Sequence, residues 1–213
     1  MDGRNRSRHA LRAAFFSLGV AAAPVQASVL ISELMYDASG SDAGEVFVEL
    51  SGPAGLDLTG FELHGINGND GSTYKTVALS GLIPADGVFV VADESGGTTA
   101  VPNADLLADT DFQNGPDSIA LWDGGSVIDA LGYGDFSSAD FAGEGNPAPD
   151  VSAGQSLARL TATGDNLADF TVLDIPTPGT TAVSAVPVPA AVWLMGSGLA
   201  LLGTRLRRGA AVA

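Results

Sequence analysis

The sequence predicts an all-β fold, a sandwich of seven or eight strands. Three observations carry that prediction. Short β-prone runs recur between residues 28 and 173, clusters of Gly, Pro, Asp and Asn separate them, and no long helical period interrupts them. In order, the runs are Val29 to Met35, Val46 to Leu50, Phe61 to Ile66, Tyr74 to Leu79, Val88 to Ala92, Ser118 to Trp122, Val127 to Tyr133 and Gln155 to Leu160. The clearest hairpin joins Ile119-Ala120-Leu121-Trp122 to Val127-Ile128 through Asp123-Gly124-Gly125-Ser126, because glycines take the positive φ that tight hairpin turns demand. The Gly- and Asp-rich stretches 93–117 and 134–154 read as loops at the ends of the sandwich, and the Pro/Thr stretch 174–185 as an extended linker.

The two ends of the chain differ in kind from this middle. Arg4, Arg6, Arg8 and Arg12 precede an apolar run from Ala13 to Ala23, and Val25-Gln26-Ala27 supplies small residues where a signal peptidase reads. Residues 1–27 are therefore expected to be a signal peptide, cut between Ala27 and Ser28; an amphipathic N-terminal helix is the alternative. No charged residue lies between Asp174 and Arg205, and Pro189 to Leu202 is almost wholly apolar. Arg205, Arg207 and Arg208 then give a basic flank, which orients a single hydrophobic helix with the preceding domain outside the cytoplasm. From Pro189 to Thr204 the helix would reach about 24 Å at ~1.5 Å per residue, short of a hydrocarbon core of about 30 Å. It is marginal as a permanent span. A buried C-terminal core helix is the alternative, and it leaves the all-round apolarity and the three arginines unexplained.

The net charge of −16 is unevenly placed. Residues 28–186 hold 24 acidic residues against Lys75 and Arg159 alone, a net of −22. That excludes nucleic-acid binding through phosphate contacts, which needs a basic footprint, and favours cations or neutral ligands; solubility in an exposed compartment is the simpler consequence. The chain has no Cys, so neither disulfides nor thiolate metal sites contribute, and a domain of this length is held by its core.

Two resemblances follow from ordered motifs. Val186-Pro187-Val188-Pro189, then the apolar stretch Ala190 to Leu202, then Arg205, Arg207 and Arg208 resemble the PEP-CTERM sorting signals, in the VPxPA-type variant. The family's third motif position, often Glu, is Val188, and five residues trail the arginines. The resemblance implies recognition of residues 186–208 by an exosortase, a membrane-embedded sorting peptidase, in a Gram-negative bacterium that makes exopolysaccharide. Within residues 29–179, Ile31-Ser32-Glu33-Leu34-Met35-Tyr36, Phe47-Val48-Glu49-Leu50, Leu58-Thr59-Gly60-Phe61-Glu62-Leu63, Leu82-Ile83-Pro84-Ala85-Asp86-Gly87 and Gly115-Pro116-Asp117-Ser118-Ile119-Ala120-Leu121 resemble the lamin tail domain family in its bacterial exported form. Gly154-Gln155-Ser156-Leu157 and Pro176-Thr177-Pro178-Gly179 continue the likeness, with Ser51-Gly52-Pro53 and Phe61 as departures. That resemblance implies an immunoglobulin-like sandwich over 28–173 that acts as an interaction module without shared catalytic residues.

Candidate chemistry is sparse. Residues 28–186 offer one His (His64), one Lys and one Arg, too few for a nucleophile–base constellation. Glu45 and Glu49, four apart and expected on one strand face, could imitate the carboxylate pair of a glycosidase, a hydrolase class that normally also carries a deep aromatic-lined cleft. Ca2+ is the candidate cofactor: Asp109-x-Asp111-x-Gln113 begins like a calcium loop but has Asn114 and Ala120 where Gly and Glu are needed. A looser site from Asp109, Asp111 and Asp117, or from Asn67, Asn69 and Asp70, remains open. Trp122 and Tyr133, with Phe136 and Phe141, are candidates for stacking on carbohydrate, although a place on hairpin strands makes Trp122 and Tyr133 core candidates as well. The expected protein is a non-enzymatic structural or interaction protein of the cell envelope or exopolysaccharide matrix, its partners being signal peptidase, the exosortase, the membrane and matrix polysaccharide or other envelope proteins.

Overall fold

The computed structural model describes residues 28–136 and 140–180. The signal and sorting segments, including Ala27 and Val186 to Arg208, lie outside the described residues. Among those described, no helix is long and apolar enough to cross a membrane.

Ten strands and one short helix follow in order: β1 (Leu30–Met35), β2 (Phe47–Ser51), β3 (Phe61–Asn67), β4 (Thr73–Ala78), β5 (Val88–Asp93), β6 (Leu106–Ala108), β7 (Asp117–Asp123), β8 (Ser126–Tyr133), β9 (Ser156–Arg159), α1 (Asn166–Asp169) and β10 (Phe170–Leu173). One sheet has six strands in the order β10-β9-β1-β2-β5-β6, the other four in the order β4-β3-β7-β8. All pairs are antiparallel except β5 with β6. Each of the eight anticipated runs is a strand, and β6, α1 and β10 are additions. The glycine turn is as expected: Gly124 and Gly125 have φ of 56° and 94°, joining β7 to β8 with a two-residue loop.

The principal core lies between the sheets. Ile31, Leu34, Val48, Leu50, Phe89, Val91 and Leu157 come from the six-stranded sheet, and Leu63, Val77, Ile119, Leu121, Leu131 and Tyr133 from the four-stranded one. An unbroken β1 would place Ile31 and Glu33 on one face, since strand side chains alternate. A register shift between Ile31 and Glu33 changes that parity, so Ile31 and Leu34 both enter the core while Glu33 turns to the opposite face.

The six-stranded sheet is covered on its second face too. Phe47, Val88, Val90 and Ala92 pack there with Val101 in a smaller cluster, joined by Met35 and Ala104. Burial on both sides explains why every residue of β5 is buried and why Val88-Phe89-Val90-Val91-Ala92 reads as a continuous apolar run. The stretch expected to begin an extended linker completes this cover. Asn103 Nδ2 donates to Pro178 O at 2.9 Å, and Thr177 and Gly179 donate to carboxylates on the sheet, so residues 177–179 are part of the folded unit.

Candidate functional site

Three groups of polar side chains stand out, and the first joins the sheets. Asp129 on β8 faces Arg159 on β9 and the start of β1. Arg159 donates from one terminal nitrogen to both oxygens of Asp129 at 2.8 Å and from Nε to Ile31 O at 2.8 Å, while Ile31 N–H donates to Asp129 Oδ2 at 2.6 Å. The guanidinium also lies 4.5 Å from the centre of the Phe170 ring and 3.6 Å from Asp169 Oδ2. Burial pushes the Asp129 carboxyl above its ordinary value despite Arg159. Asp169 behaves oppositely: burial opposes its ionisation, yet bonds from Thr163, Thr161 and the Asp165 amide outweigh it and hold the carboxyl low. The domain's one Arg is thus committed to holding the sheets together.

The second group lies under residues 174–180. Glu33 and Glu49 are opposite each other in the β1–β2 register and fully buried. Ser156 Oγ, Thr177 N–H and Thr177 Oγ1 donate to Glu33 at 2.6, 2.8 and 2.7 Å. Ser32 Oγ and Gly179 N–H donate to Glu49 at 2.7 and 2.8 Å. Burial, with the facing charge of Glu33, pushes the Glu49 carboxyl up to about 7 against the pull of its donors. Sequence spacing had paired Glu49 with Glu45. Instead Glu45 is exposed in the turn before β2, where it borders a shallow, mainly apolar cavity of about 170 Å3 walled by Met35, Phe47, Val101, Pro176 and Pro178.

The third group is on the outer face of the four-stranded sheet. Alternation along β7 sends Ile119 and Leu121 inward and Trp122 outward, so the core placement considered for Trp122 is not what the fold adopts. Its ring stacks on His64 of β3 with centroids 5.0 Å apart, and His64 Nε2 is 2.7 Å from Glu62 Oε2. Farther along this face Phe141 meets Phe136 edge-on at 5.0 Å and lies directly over Gly132. A Cβ on Gly132 would fall 2.1 Å from Phe141 Cε2, so only glycine admits this close approach.

The remaining sequence candidates separate. Tyr133 is fully buried, its ring stacked 4.4 Å from Tyr36 and its hydroxyl donating to Gln113 O at 2.7 Å, which removes it as a ligand platform. Lys75 Nζ donates to Asp109 Oδ1 and to Asp111 O. Asp117 is buried on β7 and accepts from Gly68 N–H at 2.9 Å. Asn67 Oδ1 and Asp70 Oδ1 accept from the amides two residues on, as turn-forming side chains do. Among the described residues, no three His, Asp or Glu side chains are placed to hold a metal ion. Asp109, Asp111 and Asp117 therefore do not form the anticipated cluster. Ser28, the expected new N-terminus, is the exposed residue that precedes Val29. Sequence reasoning missed the Asp129–Arg159 and Glu33–Glu49 contacts, although a solitary Arg among so many acids was a signal for the first.

Two sheets around one apolar core, with a single four-residue helix among the described residues, define an all-β domain consistent with an immunoglobulin-like sandwich. Residues 22–135, over half of the chain, match the family model described as Lamin Tail Domain, and the chain belongs to that family. The match ends in the loop after β8, so β9, α1, β10 and the segment over Glu33 and Glu49 lie beyond it. No curated protein matches the chain.

Proposed function

We propose that this chain is an exported, surface-sorted, non-enzymatic domain that occupies the cell envelope or its exopolysaccharide matrix and contacts other envelope components through its exposed edges and loops. The observation that carries this reading is how its interior charges are used. Glu33, Glu49, Asp93, Asp117, Asp129, Arg159 and Asp169, the buried charged side chains among the described residues, all bond to the domain's own backbone or side chains. Chemistry on a bound substrate needs such groups aimed at a cleft; structural service uses them as they stand here. Membership of the lamin tail domain family, which is not typically enzymatic, supports the same reading.

Export and sorting rest on the two end segments. Residues 1–27 carry the order of a signal peptide, and residues 186–208 the proline motif, apolar stretch and arginines of a PEP-CTERM-like signal. In that reading signal peptidase and an exosortase are the processing partners, in a Gram-negative, exopolysaccharide-producing cell. Fractionation of cells producing the full chain or a form lacking residues 1–27 tests it. The full chain is expected in the surface or matrix fraction and the truncated form in the cytoplasm; identical distributions would refute export.

A further inference from the structure

Residues 174–180 cross the outer face of the six-stranded sheet as a strap whose hold depends on two carboxylates that, among the described residues, have no cation to neutralise them. Glu33 and Glu49 are direct cross-strand partners, and like charges in that position oppose one another. Their donors are hydroxyls and amides, with Thr177 and Gly179 of the strap supplying the contacts that cover them. One further carboxylate lies nearby: Asp105 Oδ2 accepts from the amide of Val90, the β5 residue opposite Glu49, at 2.8 Å. β9 contributes Ser156 beside Glu33, and between Ile175 and Thr180 the strap has no ionisable side chain. Asp174, at the start of the strap, accepts from Gln155 Nε2 at 2.7 Å, and Glu45 stands exposed at the rim of the neighbouring cavity.

We propose that residues 174–180 form a proton-operated latch: the strap stays on the Glu33–Glu49 pair while Glu49 carries a proton, and loosens when Glu49 ionises. Lifting the strap lets water reach Glu49 and removes the burial that disfavours its charge, so the closed form binds the proton more tightly than the open one. Linkage then fixes the sign: acid favours closure, and a rise in pH through neutrality favours opening. Between an ordinary 4.5 and about 7, the opening equilibrium shifts by up to the order of a hundredfold. The strap leads directly into residues 181–213. Its release frees seven residues, roughly 23 Å at full extension.

Hydrogen exchange on the full-length chain at pH 5.5 and 8, corrected for intrinsic exchange rates, reads the latch at the amides of Thr177 and Gly179. Protection at both is expected to fall at least tenfold over this interval while the amides of β7 keep theirs. Glu49→Gln should hold protection nearly constant with pH. Asn103→Ala, which removes only the bond to Pro178 O, should lower it equally at both values. Protection independent of pH in the natural chain would overturn the proposal, as would a fall shared equally by β7 or an unchanged pH slope in Glu49→Gln. If Glu49→Gln does not fold, the contrast between strap and β7 in the natural chain decides alone.

Discussion

Replacing Arg159 with Met removes the cation that joins the two sheets while keeping most of the side chain's length. Three hydrogen bonds at 2.8 Å disappear, two to Asp129 and one to Ile31 O. Asp169 is little affected because Thr161 and Thr163 still satisfy it. Asp129 bears the loss: at 2 % exposure it becomes an unpaired interior charge supported by the Ile31 amide. Stranding one partner of a buried ion pair costs about 3–5 kcal/mol. With a urea m-value of about 2 kcal/mol/M, the unfolding midpoint followed by circular dichroism should drop by roughly 1.5–2.5 M. Adding Asp129→Asn removes the stranded charge and keeps an acceptor for Ile31 N–H, so the double variant should regain at least half of the loss. A single variant less than about 1 kcal/mol destabilised, or a double variant no better than the single, would refute the assignment of Asp129–Arg159 as the joint between the sheets.

Gly132→Ala forces Phe141 off the outer face of the four-stranded sheet and should cost about 1–3 kcal/mol in the same denaturation assay. Combined with Phe141→Ala, the two losses should be clearly less than additive, because the first substitution already abolishes the contact. Calcium at millimolar concentration should leave the melting temperature of the metal-stripped chain unchanged, since Lys75 holds Asp109 and Asp117 serves Gly68. A rise of several degrees would instead assign a site among these carboxylates.

The strands that were legible in the sequence are those whose apolar periodicity reports burial directly. β7, the Gly124-Gly125 turn and β8 form the hairpin that local turn chemistry demands, and β5 shows its two-sided burial as an uninterrupted apolar run. β6 was not legible because three residues in an acidic loop become a strand only by pairing with the edge of β5. The short β10 likewise depends on β9, which it pairs along its whole length. Glu33 was hidden for another reason. Alternation assigns it to the same face as Ile31, and only the register shift in β1 sets it beside Glu49 beneath the strap. Tyr133 and Trp122 show both outcomes at one hairpin: parity with Leu131 takes Tyr133 into the core, and parity with Leu121 puts Trp122 outside it. The Asp129–Arg159 joint spans thirty residues and two sheets, a pairing that no local pattern encodes.

Mass spectrometry of the protein recovered from cells and medium tests the central claim most directly. Export and sorting predict a chain that begins at Ser28 and has lost its C-terminal segment at or after the Val186-Pro187-Val188-Pro189 motif. Recovery of a chain still carrying residues 1–27 and the peptide through Ala213 would contradict it.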